Sequence, residues 1–187
     1  MSDDSLRVDW LPPEWPADGR PGRLGLTILP GKHGASTRYP GRMYDRDLAS
    51  DLRALREAGV VRLVLLVDDD ELARWGEIEI VAIAEAAGVE VIRRPMPDGQ
   101  PPSSQAAMDE IVERIDEGRS VGHVAVACMG GVGRTGTVVA CALVAHGVRP
   151  DRAIRRVRAV RHPQAVETDA QERFVRAYAR HRSGAAA

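Results

Sequence analysis

Between Val60 and Val67 the chain passes through eight residues of which only Arg62 is not apolar. A strand with one wet face alternates, so this run predicts a strand buried on both faces, the habit of a parallel sheet covered by helices. The flanking sequence supplies the matching parts. Leu24 to Leu29, Val89 to Ile92 and His123 to Ala127 read as three more short strands. Leu48, Leu52 and Leu55 share one helical face, and Gly59 is placed to end that helix. A helical stretch from Asp69 to Ala87, with a break at Gly76, follows. Met108, Ile111, Val112 and Ile115 mark another helical face, and further helices fit 134–145, 151–160 and 168–181. Strands alternating with helices predict an α/β architecture with a mainly parallel central sheet flanked by helices. No internal repeat is present.

At 187 residues the chain fits one domain, and 44% apolar content is enough to fill its core. The expected organisation is an irregular N-terminal arm over 1–22, a domain over 23–182 and a disordered tail over 183–187. Trp10 and Trp15 lie in the arm and are expected to pin it to the domain. A formal net charge of −1 gives no pull toward nucleic acid or an acidic membrane, so neither is an expected partner. Cys128 and Cys141 are too few for a disulfide framework. The acidic start, Met1-Ser2-Asp3-Asp4, lacks a secretory pattern, and no apolar run approaches the ~20 residues a bilayer demands. A cytoplasmic location is therefore expected. Nothing in the sequence speaks to oligomeric state.

The most informative stretch is Cys128-Met129-Gly130-Gly131-Val132-Gly133-Arg134-Thr135. It leaves a buried strand and enters a helix, where backbone N–H groups are free and the helix dipole is positive. Three glycines let the loop curl so that successive N–H groups converge, a nest suited to a tetrahedral dianion. The same field favours a thiolate, which a free cysteine with a pKa of about 8.5 hardly populates at neutral pH. Arg134 adds a planar fork able to hold two phosphate oxygens. Nucleophile, cradle and clamp thus lie within one turn of chain.

Cys-x5-Arg-Thr after a strand resembles the signature loop of the protein tyrosine and dual-specificity phosphatase superfamily. The wider pattern is similar to its kinase-associated phosphatase branch. Arg23-Leu24-Gly25-Leu26-Thr27-Ile28-Leu29-Pro30-Gly31 resembles that branch's entry strand, and Gly130-Gly131-Val132-Gly133-Arg134-Thr135 its Gly-Gly-x-Gly-Arg-Ser/Thr loop. The likeness runs from about residue 23 to 178. It implies a cysteine-phosphatase fold and hydrolysis of phosphotyrosine, with some phosphoserine or phosphothreonine, in a protein or peptide substrate. It implies that Cys128 attacks phosphorus to form a phosphocysteine, and that Asp98 protonates the leaving oxygen and then serves as base. Arg134 and the amides of Met129, Gly130, Gly131, Val132 and Gly133 would stabilise the equatorial oxygens. Thr135 would hydrogen-bond the sulfur, and Gln171 would position the hydrolytic water. No cofactor and no metal is implied. The family carries histidine just before the cysteine where this chain has Ala127, so a weaker thiolate and a slower enzyme are expected.

Plainer readings stand beside these. Cys128 also fits a small buried hydrophobe, and Cys141 fits helix packing. Pro97-Asp98-Gly99 is a common turn signal, which is compatible with a catalytic acid. Thr168-x-x-Gln171 fits a capping box as well as catalysis. Arg155, Arg156, Arg158 and Arg161 fit a solvated helix face or a surface for acidic phosphopeptides. The rival functions are a phosphate-binding module with weak or lost catalysis, a lipid or small-molecule phosphomonoesterase, and a sulfur-transfer or redox enzyme. Residues 129–133 carry no lysine, which argues against the lipid reading, and Arg134 has no use in sulfur chemistry.

Overall fold

The computed structural model describes residues 6–36 and 39–184. The acidic start and the last three residues of the expected tail lie outside the described residues. The apolar run forms β5 (Val60–Leu65), and Leu66 and Val67 beyond it are fully buried as well. Arg62 interrupts the run at little cost because its guanidinium reaches out to Glu90 and Glu117 and donates to the Arg114 carbonyl.

β5 lies between β6 (Glu90–Arg93) and β7 (His123–Cys128), parallel to both, and β2 (Leu24–Ile28) runs parallel along the other side of β7. A fifth strand, β1 (Asp9–Trp10), pairs antiparallel with β2. The N-terminal segment is thus not wholly irregular, and Leu11 beside β1 is fully buried. Trp10 sets its ring against His123 at 5.1 Å, and Trp15 lies under Arg152 and Arg156. A hairpin of β3 (His33–Ala35) and β4 (Met43–Asp45), too polar and short to read from periodicity, stands apart from the main sheet.

Seven helices occur among the described residues: α1 (Leu48–Glu57), α2 (Asp69–Trp75), α3 (Ile80–Ala86), α4 (Gln105–Arg119), α5 (Gly133–Ala145), α6 (Pro150–Val160) and α7 (Asp169–Gly184). The expected break at Gly76 separates α2 from α3, because Gly76 leaves the helical region with φ −149° and ψ −147°. α7 continues through Ser183 and Gly184, where a frayed tail was expected. Helices α4, α6 and α7 pack around α5, while α1 and α3 form a second group against β5 and β6.

α5 is the centre of the fold. Every residue from Gly133 to Val144 is buried, Val138, Val139, Cys141 and Leu143 among them. Burying each Val or Leu side chain stabilises the fold by about 1.5–3 kcal/mol, so this helix is fixed in place and its N-terminus with it. The N-terminal segment is tied down elsewhere by Arg119, which is 1% exposed and donates to the Gly22 carbonyl and to both oxygens of Asp18. Asp116 and His146 join Asp18 there, and Arg119 and Arg20 supply the opposing charge. No helix of the described residues is long and apolar enough to cross a membrane.

Candidate active site

Cys128 closes β7 opposite Ile28 of β2, and the chain turns through 129–132 into the buried N-terminus of α5. That turn demands glycine at 131, which adopts φ +64° and lies so close to Thr27 that a Cβ would collide with its carbonyl. A Cβ at 133 would sit 2.8 Å from Glu167 Oε2, so a larger residue there would displace the Glu167 side chain. The loop is held from outside by Arg161, at the end of α6. Its Nε donates to the Gly131 carbonyl at 3.0 Å and its Nη2 to the Gly130 carbonyl at 3.2 Å. Its Nη1 is anchored by Asp9 of β1 at 2.6 Å. In a trans peptide the N–H points opposite to the C=O, so fixing these carbonyls aims the amides of Gly131 and Val132 away from Arg161. Met129, Gly130, Val132 and Gly133 line a cleft of about 720 Å³, with Cys128 and Arg134 in its wall.

Arg134, 1% exposed, is held by a carboxylate that sequence reasoning missed. Glu71 accepts from Nη1 at 2.6 Å and from Nη2 at 2.7 Å, and the Met96 carbonyl accepts from Nη1 at 3.0 Å. Burial alone would push this guanidinium down. The hydrogen bonds to Glu71, with Cys128 and Asp98 nearby, outweigh it and push it further up. Nε of Arg134 is buried without a partner, so one edge of the fork remains available to an oxyanion. Glu71 also accepts from the Asp68 amide while Asp68 caps Glu71, a reciprocal box at the start of α2. Asp68-x-x-Glu71 was the available signal, and it pointed only to a helix start.

Asp98 lies in the turn after β6, with Oδ1 3.1 Å from Arg134 Nη2 and a carboxylate 85% exposed to the cleft. α7 clamps that turn. Thr168 Oγ1 donates to the Gly99 carbonyl at 2.9 Å, and Gln171 Nε2 to the Gln100 carbonyl at 3.4 Å.

Gln171 is fully buried, is absent from the cleft lining, and spends Oε1 on the Glu167 and Thr168 amides, while Thr168 Oγ1 accepts from the Gln171 amide. The capping role is the one this geometry contains. Thr135 is buried beside the loop, yet its hydroxyl has no hydrogen-bond partner, so the bond to the Cys128 sulfur implied by the resemblance is not formed here. Ala127 is fully buried on β7. His123, at the far end of that strand, accepts from the Arg23 amide. Cys141 lies inside α5, and burial pushes its thiol well up.

Three of the four clustered arginines are engaged by the fold, while Arg155 is exposed. Arg156 covers Trp15, Arg158 holds the Ala165 and Val166 carbonyls and Glu172, and Arg161 holds the loop. Val166 is kept at φ 59°, a value a β-branched residue reaches only when its surroundings impose it.

Comparison with known proteins agrees with this geometry. Residues 40–148, more than half of the chain, match the family described as "Tc-R-P: Polymorphic toxin system, DSP-PTPase phosphatase". Cyclin-dependent kinase inhibitor 3 of Rattus norvegicus is 26% identical over 157 residues, spanning 81% of this chain and 69% of the relative. The Homo sapiens protein of that name is 23% identical over 154 residues, with the same shares. A crystal structure of kinase-associated phosphatase, its catalytic-site cysteine replaced by serine, superposes with a TM-score of 0.83 at 21% identity, covering 97% of this chain and 98% of that one. Tk-PTP in its active form superposes with a TM-score of 0.67 at 29% identity, covering 89% and 98%. The α/β fold expected from the strand and helix pattern is the fold of these phosphatases. By the match over residues 40–148, the chain belongs to the dual-specificity and tyrosine phosphatase (DSP-PTPase) family of polymorphic toxin systems.

Proposed function

We propose that this protein is a cysteine-dependent protein phosphatase that hydrolyses phosphotyrosine, with phosphoserine and phosphothreonine as further substrates. One observation carries the reading. Cys128, loop residues Met129, Gly130, Val132 and Gly133, and Arg134 with its unpartnered Nε border one cleft at the N-terminus of a buried helix, with Asp98 on its rim.

In the first step Cys128 Sγ attacks phosphorus in line. The S–P bond forms as the P–O bond breaks, and Asp98 gives its proton to the departing side-chain oxygen. Arg134 and the amides of 129–133 hold the equatorial oxygens, where charge is greatest. In the second step water attacks phosphorus, the Asp98 carboxylate takes a proton from it, and S–P cleavage releases phosphate and the thiolate. Gln171 acts in this scheme by fixing the Asp98 turn through the Gln100 carbonyl. The reaction draws on these side chains and water.

A phosphate-binding module with faded catalysis is the second reading, favoured by the unpaired Thr135 hydroxyl and by Ala127. Turnover of phosphotyrosine, phosphoserine and phosphothreonine peptides of one sequence separates the two. Release of phosphate, fastest from phosphotyrosine, is expected. Binding of all three with no release would sustain the module instead.

A further inference from the structure

Among the described residues six lysine and arginine side chains line the cleft, and four of them are already matched to carboxylates. Arg7 and Arg161 share Asp9, Arg46 pairs with Asp51, and Arg134 with Glu71 and Asp98. Lys32 and Arg42 differ. Among the described residues each meets only the ring of Tyr44, Lys32 Nζ at 4.1 Å and the Arg42 guanidinium at 4.9 Å from its centre. Lys32 is the single lysine of the chain and is 4% exposed. A buried ammonium with no carboxylate partner among the described residues is costly, and a second cation on the same ring adds repulsion. Cation–π contact offsets only part of this. Burial and Arg42 push the Lys32 pKa down, while charge on the Cys128 sulfur works against them, which places this pair within the field of the candidate nucleophile.

We propose that Lys32, Arg42 and Tyr44 form a second anion subsite, so that the preferred substrate is a phosphopeptide carrying another anionic group beside the phosphorylated residue. The inference rests on the phosphatase reading above and names its substrate class. One phosphate occupies the loop at Cys128. The second group, a phosphate or a carboxylate on a neighbouring side chain, lies between Lys32 and Arg42 and cancels their repulsion. Tyr39, exposed and lining the same cleft, offers apolar surface to the rest of the peptide.

The test is isothermal titration of the full-length Cys128→Ser protein, so that affinity is read without turnover. Three phosphotyrosine peptides of equal length are compared, with neutral flanks, an acidic flank or a second phosphate. The doubly phosphorylated peptide is expected to bind about tenfold more tightly than the neutral one, the scale of a charge-assisted hydrogen-bonded contact. That ratio should fall toward one with Lys32→Met added, and part of the way with Arg42→Gln, which alters an exposed side chain and so guards against misfolding. Equal affinities in the parent, or a ratio unmoved in both variants, would overturn the subsite. Tighter binding to phosphoinositide vesicles than to the doubly phosphorylated peptide would overturn the assignment to peptides. Failure of the wild-type protein to hydrolyse any peptide would overturn the phosphatase reading alone, since the titration ratio does not depend on turnover.

Discussion

Glu71 accepts both terminal nitrogens of Arg134, at 2.6 and 2.7 Å, across 63 residues of chain. The pairing fixes which edge of the guanidinium is spent and which is left for an oxyanion. It also supplies the negative charge without which an arginine 1% exposed would not remain buried.

Glu71→Gln is therefore expected to act twice. Loss of the buried pair should lower stability by about 2–4 kcal/mol in chemical denaturation. A loosened fork should reduce kcat/KM for an aryl phosphate by about 10–100-fold. A loss of stability with unchanged kcat/KM would show that Glu71 supports the fold and not the clamp.

Arg161 bridges two loop carbonyls and Asp9, in a chain where Ala127 precedes the loop cysteine. Arg161→Met should cut kcat/KM by about tenfold or more, because a misaimed amide cradle loses its complementarity to the transition state. Asp9→Asn weakens the anchor, which Arg7 shares, but leaves both bonds from Arg161 to the loop in place, so its effect on steady-state kinetics should be the smaller of the two.

Gln171 tests capping against a donor role. Its Oε1 caps α7, and its Nε2 reaches the Gln100 carbonyl. Gln171→Ala removes both and should cost about 1 kcal/mol of stability as well as activity. Gln171→Glu keeps an acceptor for the cap and loses the donor. Retained stability with reduced kcat is the expected outcome for that variant.

Asp18 connects acid stability to Arg119. Burial works to raise its carboxyl, but hydrogen bonds from Arg119 and Arg20 overcome this and lower it to about 2. A depressed pKa stabilises the fold above the ordinary value of 3.8 and loses that contribution as pH falls through about 2. Denaturation midpoints should fall between about pH 4 and pH 2 in the parent, and less steeply in Asp18→Asn.

Much of the framework was legible because its signals are local. The apolar run at Val60–Val67, the glycine turn after Cys128 and the helical faces of Leu48 and Met108 each announce an element within a dozen residues. The β3–β4 hairpin and β1 were not, since two- and three-residue strands with mixed side chains carry no period. At the site, Cys128, Arg134 and Asp98 were readable from spacing and resemblance. Glu71, Asp9 and Lys32 were not, because each meets the site through the fold from a distant segment. In the sequence Arg161 stands out only as part of a basic cluster. Whether an arginine faces solvent or a loop carbonyl depends on tertiary contacts that helical spacing does not encode.

The most direct measurement is hydrolysis of a simple aryl phosphate against pH by the wild-type protein, Cys128→Ser and Asp98→Ala. The expected result is a rate that vanishes with Cys128→Ser, falls with Asp98→Ala, and loses its basic limb when Asp98 is replaced. Equal rates in the wild-type protein and Cys128→Ser, or no hydrolysis at any pH by a protein that still binds vanadate, would contradict nucleophilic catalysis by Cys128.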